Sequence, residues 1–219
     1  MDLLEINAGI KKSILIQLGS INLEGLLHIP ENAKGLVIFS HGSGSSRNSL
    51  RNNYVANVLQ DQNIGTLLID LLTKQEEEVY ETRFDIDLLT KRLNGITNWF
   101  LEHAEFSNLN IGFFGASTGA AAALNVSAEM GDLIKAVVCR GGRPDLALNK
   151  LYRIKAPVLL IVGGNDLEVL KLNQKAYQKI NSKKRIDIIP GSGHLFEEAN
   201  ALDSVAELTC EWFKKYLEN

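Results

Sequence analysis

The sequence predicts an α/β protein, an eight-stranded, mostly parallel sheet with helices on both faces. Two observations carry this. Short β-rich runs alternate with helical patterns along the chain, and the later runs are nearly continuously apolar, as strands are when helices cover both faces of their sheet. Residues 13–18 and 21–29 read as an opening hairpin that turns at Gly19 and Ser20. GLVIFS (35–40), TLLID (66–70), NIGFF (110–114), KAVVC (135–139), PVLLIVG (157–163) and RIDIIP (185–190) complete the eight. Ile86, Leu89, Leu93, Ile96 and Phe100 recur at three- and four-residue steps, the apolar stripe of a helix packed on that sheet. Leu202, Val205, Leu208, Trp212 and Tyr216 repeat the pattern in the last segment. The acidic run 76–78 reads as a solvated loop. Only 17 residues, 140–156, separate Cys139 from Pro157, too few for a large helical cap, so an open cleft is expected.

Composition narrows the function classes. At 219 residues, 45% hydrophobic and 22% charged, the chain has ordinary globular usage and is long enough to bury a large core as one domain over 1–219. A formal net charge of -3 offers no field for nucleic acid or an anionic membrane. Cys139 and Cys210, with no CxxC spacing and no histidine cluster nearby, read as core thiols rather than a disulfide or a metal site. MDLLEINAGIKK lacks an apolar stretch of signal-peptide length, and nothing later approaches the ~20 apolar residues of a spanning helix. The expectation is a cytoplasmic protein acting on a small molecule, with no metal or organic cofactor.

In an open α/β sheet, ligands bind beyond the carboxyl ends of the strands, so the residues after each strand matter most. FSHGSGSS follows the third strand, GASTG the fifth, VGGNDLEV the seventh and IPGSGHLFEE the eighth. GASTG places Ser117 between Gly115 and Gly119 at a strand-to-helix junction, the pattern of a nucleophile elbow. Ser117, Asp166 and His194 then occur in the chain order Ser, Asp, His, which is the order of an α/β-hydrolase triad. A serine hydroxyl is a weak nucleophile until an imidazole takes its proton, and the imidazole needs a carboxylate to hold its tautomer. His194 suits the first task and Asp166 the second. The developing oxyanion needs preorganised donors, and the backbone N–H groups of Thr118 and Ser43 are the expected pair.

HGSGSSRN, GASTGAAAAL, CRGGRPDLA, VGGND and GHLFEE together resemble the dienelactone hydrolase-related branch of the α/β-hydrolase superfamily. They are most similar to hydrolase domains that occur alone or fused to phosphoribosyltransferase domains. The resemblance runs from Gly25 onward and implies an α/β-hydrolase fold with no large cap domain and the Ser117, Asp166, His194 triad. The chain departs from dienelactone hydrolase itself in carrying Ser117 where that enzyme has cysteine. No acidic-pair phosphoribosyl-binding loop is visible, so no transferase half is expected.

The function these residues predict is a serine hydrolase cleaving a small ester, thioester or lactone through an acyl-enzyme on Ser117. The alternative is a non-catalytic member of the fold that binds a ligand or partner in the same cleft; a peptidase fits less well, since no extra domain is evident to dock peptides. His41 reads as a hydrogen-bonded structural histidine, and His28 and His103 as ordinary strand and helix-surface residues. Cys139 reads as a packed thiol, with a reactive thiol at the rim as the competing reading. Glu197 and Glu198 read as the start of the last helix. Arg47, Arg140 and Arg143 each lie in a loop that follows a strand and is expected to open toward the site. Either they brace loops through ion pairs, for example with Asp70 or Asp145, or at least one binds a substrate carboxylate or phosphate.

Overall fold

The structure, a computed structural model, describes residues 9–218. Its eight strands are β1 (Ile10–Leu18), β2 (Ile21–Ile29), β3 (Gly35–Ser40), β4 (Gly65–Ile69), β5 (Asn110–Ala116), β6 (Ile134–Arg140), β7 (Val158–Gly163) and β8 (Lys184–Ile189). They form one sheet in the order β1-β2-β4-β3-β5-β6-β7-β8. The β1–β2 hairpin joins antiparallel to β4, and β3 to β8 are all parallel. The eight runs anticipated in the sequence are these eight strands, with ends displaced by at most three residues.

The longer helices α1 (Leu50–Asp61), α3 (Ile86–Glu102), α4 (Thr118–Met130), α5 (Leu167–Lys179) and α6 (Ala201–Leu217) cover the sheet, and α2 (Lys74–Glu78) is a single short turn. Successive strand residues face opposite ways, so the sheet divides the core in two. Leu36, Ile38, Phe113, Val137 and Leu160 pack with α3 and with Ala120 to Ala123 of α4. Val37, Phe39, Phe114, Val138 and Leu159 pack on the other side with Val55 and Leu59 of α1 and Val205 and Phe213 of α6. Leu89, Leu93, Ile96 and Phe100 of the anticipated stripe are buried, as are Val205 and Trp212 of the last helix.

The acidic run 76–78 is not a loop. Thr73 caps α2, its hydroxyl accepting from Glu76 N while the Glu76 carboxylate accepts from Thr73 N at 2.8 Å. Glu76 also pairs with Arg92 of α3, so the reciprocal cap and one cross-helix ion pair order a segment too polar to pack by itself. Between β6 and β7 stand only two 3-10 turns, Pro144–Ala147 and Leu151–Arg153.

Candidate active site

Ser117 follows the last residue of β5 and precedes α4, with φ 50 and ψ -122. A non-glycine residue held there costs about 1–3 kcal/mol, which a structure retains only where its surroundings enforce it. They do. The Ser117 N–H donates to Arg140 O at 3.3 Å, and its carbonyl accepts from Ala120 N at 3.1 Å and Arg143 N at 3.0 Å. Gly115 permits the turn because a Cβ there would lie 2.5 Å from Ala120 Cα. The Ser117 hydroxyl is half-buried and makes no hydrogen bond to protein among the described residues.

The loop after β3 lies directly against this elbow. Ser40 Oγ donates to Gly119 O at 2.8 Å, and a Cβ on Gly42 would lie 2.9 Å from Ser117 Cβ. Ser43 N donates to Thr118 Oγ1 at 3.0 Å, which brings the two expected oxyanion donors side by side. The Thr118 side chain thereby braces the loop, next to the backbone N–H expected to serve as an oxyanion donor. His41 is buried; its Nε2 accepts from Leu71 N at 3.1 Å, so Nδ1 carries the proton and donates to Gly42 O at 3.0 Å. Both ring nitrogens are committed to shaping this loop.

Asp166 and His194 come from the turns after β7 and β8, and they meet. His194 Nδ1 donates to Asp166 Oδ2 at 2.7 Å. Asp166 occupies the N-cap position of α5 yet makes no side-chain cap bond. An aspartate there ordinarily accepts from its own helix, so its carboxylate is diverted to the imidazole. An acceptor-only carboxylate fixes the proton on Nδ1 and leaves Nε2 with a free lone pair. The ring lies against Gly141, where a Cβ would be 3.4 Å from ring Cε1 and Nδ1. Gly141 directly follows Arg140, whose carbonyl binds Ser117 N. Ser117 and His194 therefore share the carboxyl rim of the sheet, without a direct hydrogen bond between them among the described residues.

The two turns are tied together by Asn165, whose N donates to Ser192 O at 2.9 Å and whose Nδ2 donates to Gly191 O at 2.6 Å. Phe196 sits at φ 55 with its ring 2% exposed. Burying such a ring contributes about 1.5–3 kcal/mol, enough to offset the roughly 1–2 kcal/mol of a left-handed residue. Glu197 and Glu198 do not begin the last helix, which starts at Ala201 after Asn200. Glu198 accepts from Gly193 N at 2.9 Å and Glu197 pairs with Arg51 at 3.1 Å, so both carboxylates serve the histidine turn.

The arginines separate. Arg47 is held by Asp70 and Glu24, with its backbone N also on Asp70 Oδ1 at 2.7 Å. Arg143 forms a two-point pair with Asp145, 2.8 Å at each contact. These are the loop-bracing pairs anticipated as one of two readings. Arg140 is 7% exposed and contacts no carboxylate among the described residues. His28 bonds Gln60, and His103 bonds Trp99 O and stacks on its ring, both away from the site. A cavity of about 460 Å³ beside the β3 loop is lined by residues including Ser45, Ser46, Arg47 and Asp70. A larger one of about 820 Å³, between the hairpin turn and α3, touches none of the candidate site residues.

Cys139 is fully buried, and desolvation pushes its thiol up to about 12. Since the thiolate is the reactive form, iodoacetamide at pH 8 should leave Cys139 unmodified in the folded protein and label it after denaturation. Mass spectrometry showing Cys139 alkylated in native protein would overturn this. Among the described residues, no three His, Cys, Asp or Glu side chains are placed to hold a metal ion, and no helix is long and apolar enough to cross a membrane.

Comparison with known proteins fits the geometry. Residues 23–218 match the dienelactone hydrolase family. A dienelactone hydrolase from Anabaena variabilis ATCC 29413 has a TM-score of 0.93 and 50% identity, covering 95% of this chain and 99% of that one. Est1E from Butyrivibrio proteoclasticus has a TM-score of 0.81 at 16% identity, over 94% of this chain and 99% of that one, a likeness of fold alone. A protein of Mycobacterium tuberculosis (strain CDC 1551 / Oshkosh) named "Putative phosphoribosyl transferase" is 48% identical over 206 residues, 94% of this chain and 46% of that protein. The chain thus spans about half the length of the curated relatives it matches. The matched span takes in the elbow, the loop that packs on it and the Asp166–His194 pair, and so the chain belongs to the dienelactone hydrolase family, with the α/β-hydrolase fold.

Proposed function

We propose that this hydrolase-family chain acts on small esters, thioesters or lactones through an acyl-enzyme on Ser117. His194 Nε2 takes the Ser117 proton as Oγ attacks the carbonyl carbon. The oxyanion is received by the N–H groups of Thr118 and Ser43, the latter exchanging its bond to Thr118 Oγ1 for one to substrate. Collapse breaks the bond to the leaving alcohol or thiol, which takes the proton from His194. Water then repeats the sequence in reverse, freeing the acid and Ser117. Asp166 keeps the imidazole in the tautomer that leaves Nε2 free, and steadies its charge when protonated.

The single observation that carries this reading is the 2.7 Å bond from His194 to an Asp166 carboxylate withdrawn from its own helix cap. A residue with only a structural task would be expected to cap. The three arginines enter as candidates for a substrate anion. Arg47 and Arg143 already have carboxylate partners, which leaves Arg140 as the strongest of them.

A panel of p-nitrophenyl esters and lactones, with Ser117→Ala as the blank, tests the reading together with a fluorophosphonate probe. Saturable labelling at Ser117 and ester turnover above the blank are expected. Turnover equal in wild type and Ser117→Ala, with no label on Ser117, would overturn it.

A further inference from the structure

β8 closes one edge of the sheet: it pairs with β7 on one side, and among the described residues no strand pairs with it on the other. Val158 N donates to Lys183 O at 2.8 Å and Gly164 N to Ile189 O at 2.8 Å. Backbone groups alternate in direction along a strand, so residues 183, 185, 187 and 189 turn their N–H and C=O groups toward β7. Lys184, Ile186 and Ile188 turn theirs outward, along the open edge. Such an edge is a template for another strand, and proteins commonly guard it with lysine, proline or a bulge. Neither a proline nor a register shift interrupts β8. Its lysine does not guard the edge either, because Lys184 bends back onto the carboxyl end of α5. Its Nζ donates to Tyr177 O at 2.8 Å and Ile180 O at 2.5 Å, 4.7 Å from the centre of the Tyr177 ring.

Two side-chain features mark the same edge. Ile188 is 44% exposed, a large apolar side chain left at the surface. Asp187 Oδ2 is buried and makes no hydrogen bond, because Arg185 Nε touches it at 2.6 Å without hydrogen-bond geometry. A buried carboxylate oxygen without a donor is costly. Arg185 and Asp187 are two residues apart and so share one face of the strand. An opposed copy of the strand can therefore bring a second guanidinium to that oxygen.

We propose that β8 pairs antiparallel with β8 of a second copy of this chain, centred on Ile186, so that the sheets of both copies run on as one. In a twofold pair the same surface meets itself, and the outward-facing residues must oppose one another for each N–H to find a C=O. The registers that satisfy both conditions near the middle of the strand differ in which charges meet. Pairing Lys184 with Ile186 sets Arg185 against Arg185, and pairing Ile186 with Ile188 sets Asp187 against Asp187. Like charges directly opposite destabilise paired strands. With Ile186 opposite Ile186, Arg185 of each copy instead faces Asp187 of the other, at the non-hydrogen-bonded positions where side chains come closest. That register gives each unbonded Asp187 Oδ2 a donor and lays each Ile188 beside Lys184 of the other copy. The strand is its own complement. This pairing stands apart from the chemistry at Ser117.

Sedimentation equilibrium of the whole chain between about 1 and 300 μM should show monomer and dimer in exchange. Arg185→Asp alone leaves only acids at the facing positions, and Asp187→Arg alone leaves only cations. Each should weaken the dimer about tenfold or more. Mixing the two variants in equal amounts sets acid against cation again and should restore a dimer, as should carrying both substitutions in one chain. The pair that each variant removes is 43% and 24% exposed, so folding should be little affected, with Tm as the check. Ile188→Pro gives a second route should a charge variant unfold, since it deletes an outward N–H and spares the bonds to β7; it too should weaken the dimer. Wild-type chain that stays monomeric throughout overturns the proposal. So do substituted chains that dimerise as tightly as wild type, or a mixture that associates no better than its components.

Discussion

Ser117→Ala and His194→Ala should each lower kcat on a p-nitrophenyl ester by about four to six orders of magnitude, and the double variant should be scarcely worse than either. Neither group has independent value in a triad. Without His194 the Ser117 hydroxyl keeps its proton, and without Ser117 the imidazole has nothing to activate. Asp166→Asn should cost less, about four orders. An amide turned toward His194 would present N–H where Oδ2 now accepts from Nδ1 at 2.7 Å. The imidazole would answer by moving its proton to Nε2, the nitrogen that must stay free. Because Ser117 is half-buried at a pre-formed elbow and Asp166 is not needed for capping, all three variants should keep the wild-type Tm to within a few degrees. Steady-state and single-turnover assays on the same preparations decide the matter. Losses that multiply in the double variant, or near-normal turnover by Ser117→Ala, would contradict the mechanism.

What the sequence discloses depends on how locally each feature is encoded. The parallel strands β3 to β7 are legible because each is a short, largely buried run, as the patterns of β3, β4 and β7 show, whereas the edge strand β8 is only partly buried. The elbow is legible because close approach demands glycine at 115 and 119, leaving a spacing that can be read directly. Helices α1 and α5 leave fainter marks. Only Asn52, Val55, Ala56 and Leu59 of α1 are buried, and only Asn173 and Ala176 of α5, so neither carries a full apolar stripe. Ion-pair partners are set by the folded arrangement. Asp145 is two residues from Arg143, but Asp70 is 23 from Arg47, and nothing local told the braced arginines from the unbalanced one. The Thr118 hydroxyl leaves no local mark for the same reason, since its contact with Ser43 spans 75 residues.

Gly119→Ala should have the largest effect on stability of any substitution that adds one methyl group to the elbow. A Cβ at 119 would lie 2.1 Å from Ser40 O and 2.4 Å from His41 O. Both are backbone atoms at the end of a buried central strand, so no side chain can swing aside. Relief requires α4 to move off the β3 loop, yet Ala120 to Ala123 are fully buried against the sheet and Ser40 Oγ holds Gly119 O at 2.8 Å. Moving the helix would open voids along those alanines and break that bond. The cost should exceed about 4 kcal/mol, beyond the usual range for single substitutions, and lower Tm by about 8 °C or more. Gly44→Ala is the control. Its φ is +67, but nothing lies within 4 Å of the added Cβ, so only left-handed strain of about 1–2 kcal/mol is expected. Calorimetry or denaturant unfolding of the two variants separates steric exclusion from backbone strain. If Gly119→Ala unfolds no earlier than Gly44→Ala, the helix is not seated against the loop as tightly as these distances require. The Ser43 and Thr118 amides would then lose the rigid spacing that the proposed joint hold on an oxyanion requires.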